Sequence, residues 1–257
     1  MELLFTINKT LQFSISFTNS RSIIMIFKNC QFCTDLTRGN LYYDLMFENT
    51  SMTLIRHGET EWNLSGRWQG HADSPLSPCG LSQASALGQR LMGEKFDFYY
   101  SSDLGRALHT SKLVGTPSSM IAEPHSGFRE RDLGLLEGLN TKEMEQSQPE
   151  VYASFRNDGP DFQLPKGESF SQFYDRCSNA IEELAEKHHG AKIAVVTHGG
   201  VLGAIFRYVL NIPLDAERNF VLLNCSINRI EKKEAGWNLV SWGDVAHLKD
   251  LDSLDDA

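Results

Sequence analysis

The sequence predicts an α/β protein: a three-layer α/β/α sandwich with a mostly parallel central sheet. From Met52 onward, short apolar runs that suit buried strands alternate with longer segments whose apolar residues recur at helical spacing. Parallel strands need long crossover connections, and helices placed there cover both faces of the sheet. With 257 residues, 41% of them hydrophobic, the chain can build the core of one large domain or of two small ones.

Each predicted strand is a short apolar run, and each predicted helix starts at a capping residue or carries an apolar stripe. The predicted strands are residues 52–56, 96–101, 120–122, 193–196, 220–230 and 237–242. The predicted helices begin at Ser77, at Ser102 or Asp103, at Ser169 and after His198. The first of them should bury Leu81, Ala84, Leu87 and Leu91. We expect the last two strands to pair antiparallel around a turn within residues 231–236.

Composition divides the chain into three regions. Residues 1–51 lack a sustained apolar period and are rich in Asn, Ser, Thr and Phe, so we interpret them as a poorly ordered N-terminal extension. We favour the interpretation that the start of the chain is assigned too far upstream and that the functional chain begins at Met52. Because no acidic residue occurs from Leu3 to Thr34, an organelle transit peptide is the alternative. Residues 52–249 form the functional domain, and residues 250–257 are predicted to be a frayed acidic tail.

Charge and cysteine content argue against several classes of protein. The net charge of −9 disfavours a nucleic-acid or anionic membrane surface, and no apolar run is long enough to span a bilayer. Five scattered cysteines do not make a disulfide framework, which indicates a reducing compartment, and we expect a cytoplasmic protein. Cys30 and Cys33 have redox or zinc spacing but no partner pair, so we interpret them as incidental. A homodimer is left open.

Polar side chains collect where the predicted strands end. Arg56 and His57 close the first strand, Arg106 follows the second, Glu130 follows the third, and His198 closes the fourth. In open α/β sheets, ligands bind beyond the carboxyl ends of the strands. We therefore expect these five side chains to converge on one site.

The chemistry of these residue types suits phosphoryl transfer through a phosphohistidine. Arginines neutralise phosphate oxygens as planar forks, a neutral imidazole attacks phosphorus, and a second histidine hydrogen-bonds the transferring group. A carboxylic acid then protonates the leaving oxygen. Because the arginines supply the positive charge, we expect no metal and no cofactor. The remaining histidines show no metal-ligand spacing.

Each of these residues has a plainer explanation when it is taken alone. Arg56 and Arg106 would be surface ion-pair partners, and His198 would be a hydrogen-bonded histidine of the core. Glu130, which stands between two arginines, would belong to a solvated charged run. The combination and order of the five residues favour the shared site.

Five short motifs between Met52 and Trp242 carry a resemblance to a known family. They are Arg56-His57-Gly58-Glu59-Thr60-Glu61-Trp62-Asn63, Ser102-Asp103-Leu104-Gly105-Arg106-Ala107, Arg129-Glu130, Pro165-Lys166-Gly167-Glu168-Ser169 and Thr197-His198-Gly199-Gly200. The chain resembles the histidine phosphatase superfamily, which includes the cofactor-dependent phosphoglycerate mutases. The resemblance implies a phosphoglycerate mutase-like fold.

The resemblance also implies a role for each site residue. It implies that His57 is the phosphorylated nucleophile and that Glu130 is the proton donor. The implied phosphate pocket consists of Arg56, Arg106 and His198. The implied substrate contacts are Asn63, Gln69 and Gly199. Trp62 and Trp68 flank the loop after His57, where they are predicted either to line the pocket or to pack in the core.

Two features bear on the substrate and the reaction. Leu135-Leu136 stand where many members carry an acidic-aromatic pair, at the expected wall of the pocket. The segment 141–164, a predicted lid, is short and acidic. Its charged residues are Lys142 and Arg156 against Glu143, Glu145, Glu150, Asp158 and Asp161. Because a mutase needs a closed, basic lid that clamps a second phosphate, this composition favours hydrolysis.

We therefore predict a metal-independent phosphomonoesterase that acts on a small phosphorylated metabolite. The alternative is a cofactor-dependent phosphoglycerate mutase. A hypothesis of another class is a catalytically silent protein that binds a phosphate ligand. Such a protein would be expected to have lost His57, Glu130 or an arginine of the site, and none is lost here.

Overall fold

The computed structural model describes residues 2–8, 11–17, 23–28, 49–249 and 251, the first three ranges by their backbone alone. The chain divides into two compact units, Met1–Met46 and Phe47–Ala257. Cys30, Cys33 and all but one residue of the predicted acidic tail lie outside the described residues. The interpretation of residues 1–51 as a poorly ordered extension stays a prediction, as does that of residues 250–257 as a frayed tail.

The first unit contains three strands. They are β1 (Glu2–Asn8), β2 (Leu11–Phe17) and β3 (Ile23–Lys28), and they form an antiparallel sheet in that order. No strand was predicted in this region from the sequence. However, β2 alternates apolar and polar residues along its whole length, which is the period of a strand.

The second unit holds the predicted alternation of strands and helices. Its elements are β4 (Thr50–Arg56), α1 (Glu61–Leu64), α2 (Pro78–Leu91), β5 (Phe98–Ser101), α3 (Gly105–Gly115), β6 (Glu123–Pro124), α4 (Thr141–Ser147), α5 (Pro149–Asn157), α6 (Phe170–Lys187), β7 (Lys192–Thr197), α7 (Gly199–Leu210), β8 (Ile227–Lys233) and β9 (Gly236–Asp244). Short 3-10 turns occupy Thr116–Ser118, Ser126–Phe128 and Gly134–Leu136. None of the helices in the described ranges is both long enough and apolar enough to cross a membrane.

The six strands of this unit form one sheet in the order β6-β5-β7-β4-β8-β9. The first four run parallel, while β8 and β9 form the predicted antiparallel pair. Side chains alternate along β4, so Met52 and Leu54 face a core built with α6 and α7. Ile55 faces a second core built with α2 and α3. This arrangement confirms the three-layer α/β/α sandwich with a mostly parallel sheet.

Helix starts with an obvious capping residue are confirmed. The Ser77 hydroxyl accepts a hydrogen bond from the Gly80 N–H at 3.0 Å, and Ser169 forms a capping box with Gln172 at the start of α6. By contrast, α3 begins after Leu104 without a side-chain cap, one or two residues later than predicted. Of the four residues predicted to be buried in α2, only Leu81 is exposed.

Several strand boundaries differ from the prediction. The short strand predicted at 120–122 lies instead at Glu123–Pro124, and Ile121 is 92% exposed. The strand predicted from Phe220 begins only at Ile227, because Cys225 adopts a left-handed conformation (φ 52°) that interrupts extended backbone. In the centre of the sheet, β4 starts two residues before Met52.

Candidate active site

A cleft of about 260 Å³ opens at the carboxyl ends of the parallel strands. Six of the predicted site residues line it: Arg56, His57, Asn63, Gln69, Arg106 and Glu130. The other two, His198 and Gly199, are buried behind its wall, and Gly200 takes the place expected for Gly199. The convergence predicted for residues at strand ends is therefore present in the structure.

His57 follows the last residue of β4 and presents one ring nitrogen to the cleft. Its Nδ1 lies 2.8 Å from the carbonyl oxygen of Gly58. Because a carbonyl only accepts, Nδ1 must carry the proton, and Nε2 keeps its lone pair. Burial, followed by the charges of Arg106 and Arg56, holds the pKa of His57 well below its usual value. The ring is thus neutral at neutral pH, as a nucleophile must be.

Two buried arginines supply positive charge beside His57. Arg56 and Arg106 are 3% and 2% exposed. Arg106 donates to the carbonyls of Ala72 at 2.9 Å and Gly70 at 2.8 Å, and Arg56 donates to the carbonyl of Leu222. These carbonyls orient both guanidinium groups, and Nη1 of Arg106 also forms an ion pair with Oδ1 of Asp73 at 3.1 Å. Together the two guanidinium groups can bind the oxygens of a phosphate dianion.

His198 packs against His57. The two imidazole rings are 5.2 Å apart and meet edge to face. Nε2 of His198 lies 2.7 Å from the Ser102 hydroxyl, whereas Nδ1 contacts no hydrogen-bonding group within the part of the chain that the structure describes. Burial and then Arg106 lower the pKa of His198 well below its usual value, so this ring is also neutral. Ser102, interpreted from sequence as a helix cap, in fact contacts this ring.

Glu130 is held on the cleft wall by two backbone donors. Its Oε1 accepts from the N–H of Arg131 at 2.8 Å, and its Oε2 accepts from the N–H of Gly200 at 2.9 Å. Gly200 lies in the first turn of α7, where backbone N–H groups are free to bind a carboxylate. A Cβ atom at Gly200 would come within 2.2 Å of Oε1. Glycine is therefore required there for this carboxyl position.

Replacing Gly200 with alanine should move the Glu130 carboxyl without unfolding the protein, because the clash falls on the end of a side chain. We expect kcat/KM for an alkyl phosphate to fall about tenfold or more, since small misplacements of a reacting group are costly. Gly203→Ala is the matched control in the same helix, because its Cβ would meet Leu222 Cδ1 at an ordinary 3.5 Å. Equal activities of the two variants would contradict this role for Gly200.

Several residues of the cleft were not predicted from the sequence. Arg131, Phe155 and Phe170 line it together with Trp68, one of the two tryptophans considered. Trp62 instead lies under Gly138, where an added Cβ would approach its ring to 3.1 Å. Phe155 belongs to α5 and Phe170 to α6, so no local motif marks them as neighbours of the site.

The expected pocket-wall role of Leu135-Leu136 is wrong. Leu136 is fully buried in a small apolar cluster with Leu133, Met144 and Leu164, of which the last two belong to the predicted lid, residues 141–164. Within that cluster, Leu133 reaches the cleft. Arg67 ties the lid to the domain, since its guanidinium binds both carboxylate oxygens of Glu143 at 2.5 and 2.7 Å.

Within residues 49–249, no group of three or more His, Cys, Asp or Glu side chains is arranged to hold a metal ion. A family profile described as the histidine phosphatase superfamily (branch 1) matches residues 52–245. A metal-independent phosphoserine phosphatase of Arabidopsis thaliana is 40% identical over 212 residues, which are 80% of this chain and 87% of the relative. The chain belongs to the histidine phosphatase superfamily.

Two other similar proteins indicate the fold and the class of reaction. Phosphoglycerate mutase-like protein 4 of Arabidopsis thaliana is 36% identical and covers 79% of this chain and 89% of its own. A mutant phosphoserine phosphatase of Entamoeba histolytica, solved with phosphoserine, superposes with a TM-score of 0.68 at 28% identity, over 77% of this chain and 99% of that one. The chain is a phosphoric monoester hydrolase with a phosphoglycerate mutase-like fold.

Proposed function

We propose that this phosphatase hydrolyses a small phosphomonoester in two steps, without a metal ion. In the first step, Nε2 of His57 attacks phosphorus, Arg56, Arg106 and His198 stabilise the charge on the phosphoryl oxygens, and Glu130 protonates the departing alkoxide. In the second step, the Glu130 carboxylate takes a proton from a water molecule whose oxygen attacks phosphorus, the P–N bond to His57 breaks, and inorganic phosphate is released with Glu130 protonated again. Asn63 and Gln69 contact the substrate, together with Gly200 at the α7 N-terminus, which takes the place predicted for Gly199.

One observation carries this proposal: the Nδ1 hydrogen bond of His57 leaves a neutral Nε2 facing a cleft with two buried guanidinium groups. That arrangement supplies a nucleophile and a dianion pocket from side chains alone. The acidic balance of the chain supports a small-molecule substrate over nucleic acid or membrane, and we also propose residence in the cytoplasm.

The relatives suggest the first substrate to test. The Arabidopsis and Entamoeba proteins bear the name phosphoserine phosphatase, so O-phosphoserine and p-nitrophenyl phosphate should both release phosphate in the presence of EDTA. Arg106→Met should remove this activity while leaving the fold intact by circular dichroism. If the wild type binds phosphate but hydrolyses neither ester between pH 5 and pH 8, the protein is a binding module and the proposal fails.

A phosphoglycerate mutase is the second candidate, because several relatives carry a mutase or mutase-like name. The lid opposes it. Among its described residues, only the uncharged Phe155 lines the cleft, while Lys142 and Arg156 are exposed and Glu143 is paired with Arg67. A lid without a cation facing the cleft gives a second phosphate little to bind and leaves the phosphohistidine open to water.

We therefore expect phosphate release to outpace isomerisation. The measurement is incubation with 3-phosphoglycerate and 2,3-bisphosphoglycerate, in which 2-phosphoglycerate and inorganic phosphate are followed together. Little or no 2-phosphoglycerate is expected, with no dependence of hydrolysis on the bisphosphate. Formation of 2-phosphoglycerate that is faster than phosphate release would establish the mutase instead.

A further inference from the structure

Arg131 lines the cleft directly after Glu130, yet the proposed reaction gives it no task. Its guanidinium carbon lies 5.2 Å from the ring centre of Phe155 and 5.6 Å from that of Phe170. Nε and Nη2 donate to the carbonyl of Glu168 at 3.3 and 3.2 Å. Nη1 makes no hydrogen bond to any residue that the structure describes. One side of the planar fork is thus held in place, and the other is open to the cleft.

The charge of Arg131 is not neutralised by an ion pair within the described residues. Glu168 and Glu130 are the acids whose charges act on Arg131, but Glu168 is bound to Arg176 at 2.5 Å and both oxygens of Glu130 accept hydrogen bonds from backbone N–H groups. Two other arginines close by do have carboxylate partners, Arg67 with Glu143 and Arg129 with Asp103. Burial lowers the pKa of Arg131 to about 10, which still leaves it charged at neutral pH.

Gln69 offers a second polar group to the same cleft. The residue is 8% exposed, and its Oε1 is buried with no hydrogen-bond partner within the described ranges. A buried amide without a partner is costly unless a ligand completes it. The cleft therefore presents an open guanidinium edge and an open amide beyond the phosphate pocket.

We propose that Arg131 binds a carboxylate of the substrate, so that this phosphatase selects phosphomonoesters with a carboxylate a few bonds from the ester oxygen. The inference rests on the proposed function, because the ester oxygen is placed beside Glu130. Arg131 lines the same cleft as Glu130, so one small substrate can reach both side chains. The Phe155 and Phe170 rings exclude water and favour a paired guanidinium. Gln69 contacts the amino or hydroxyl group on the intervening carbon.

The test compares two substrates that differ only by the carboxylate, O-phosphoserine and O-phosphoethanolamine. The wild type should prefer O-phosphoserine. Arg131→Gln should lower kcat/KM for O-phosphoserine about 10- to 100-fold, the usual cost of losing a charged hydrogen-bond partner. Its kcat/KM for O-phosphoethanolamine and for p-nitrophenyl phosphate should change less than about threefold. Arg131→Lys keeps the charge but loses the planar fork, so its kcat/KM for O-phosphoserine should lie between those of the wild type and Arg131→Gln.

Arg129→Gln is the matched control, because it removes the same charge two residues away from an arginine whose partner is Asp103. It should leave the preference for O-phosphoserine unchanged. A wild type without that preference, or an Arg131→Gln loss of equal size on all three substrates, would overturn the carboxylate site while leaving the proposed hydrolase intact. A wild type inactive on all three, p-nitrophenyl phosphate included, would overturn the proposed function and this inference with it.

Discussion

Replacing His57 with alanine should reduce kcat for every phosphomonoester by roughly 10⁴-fold or more, because His57 is, among the described residues, the only histidine, cysteine, serine, threonine or lysine that lines the cleft. The fold should survive, since within the described residues the imidazole donates one hydrogen bond, to the adjacent carbonyl of Gly58. The measurement is steady-state phosphate release, with thermal unfolding as the check on structure. His109→Ala, which changes an exposed histidine of α3, should match the wild type.

Substantial activity of His57→Ala would show that another group attacks phosphorus. A variant that loses both activity and its unfolding transition would instead report a structural role. In that case His57→Gln, which keeps more of the side-chain volume, should fold and still be inactive if the nucleophile is assigned correctly.

Replacing Glu130 with glutamine should separate substrates by the basicity of their leaving groups. An alkoxide departs poorly without a proton, so kcat/KM for O-phosphoserine should fall about 10²- to 10⁴-fold, the range for general acid catalysis. The p-nitrophenolate ion leaves without help, so kcat/KM for p-nitrophenyl phosphate should fall less than about tenfold. Because kcat/KM covers steps only up to the release of the leaving group, hydrolysis of the phosphohistidine does not obscure the comparison.

Losses of equal size on both esters would contradict the role of Glu130 as proton donor. Glu168→Gln is a useful control, because that carboxylate is nearby but is bound to Arg176 and to the Asp132 N–H. It should not distinguish an alkyl from an aryl ester. The comparison therefore separates proton donation from a general change in the charge of this region.

The parts of the fold that could be predicted from the sequence are those with a repeated local signal. In α6, the capping residue Ser169 precedes a stripe in which Phe173, Cys177 and Ile181 are all buried. Three apolar residues at 120–122 carry too little information to separate a strand from an exposed turn, and Ile121 proved exposed. The missed break at Cys225 depends on a backbone conformation that no side chain there signals.

The candidate site likewise contains residues that could be predicted from the sequence and residues that could not. Arg56, His57, Arg106 and Glu130 follow elements that end at one edge of the sheet, so their convergence could be predicted from order alone. The environment of Arg131 could not, because it is made by Phe155 and Phe170 from two helices distant in sequence. Sequence alone assigned Arg131 no role in the site and named it only as a neighbour of Glu130. Its position immediately after the predicted proton donor was the one sequence feature that could have indicated a place in the site.

The most direct test of the account is chemical trapping of the phosphorylated enzyme. Enzyme mixed with phosphate-labelled p-nitrophenyl phosphate and quenched within milliseconds into alkali should carry label that is stable to base and lost in acid, as a phosphohistidine is. Peptide mass spectrometry should place the phosphate on His57, and His57→Ala should carry none. Phosphate release with no trapped label at any quench time, or label on a residue other than His57, would contradict the account.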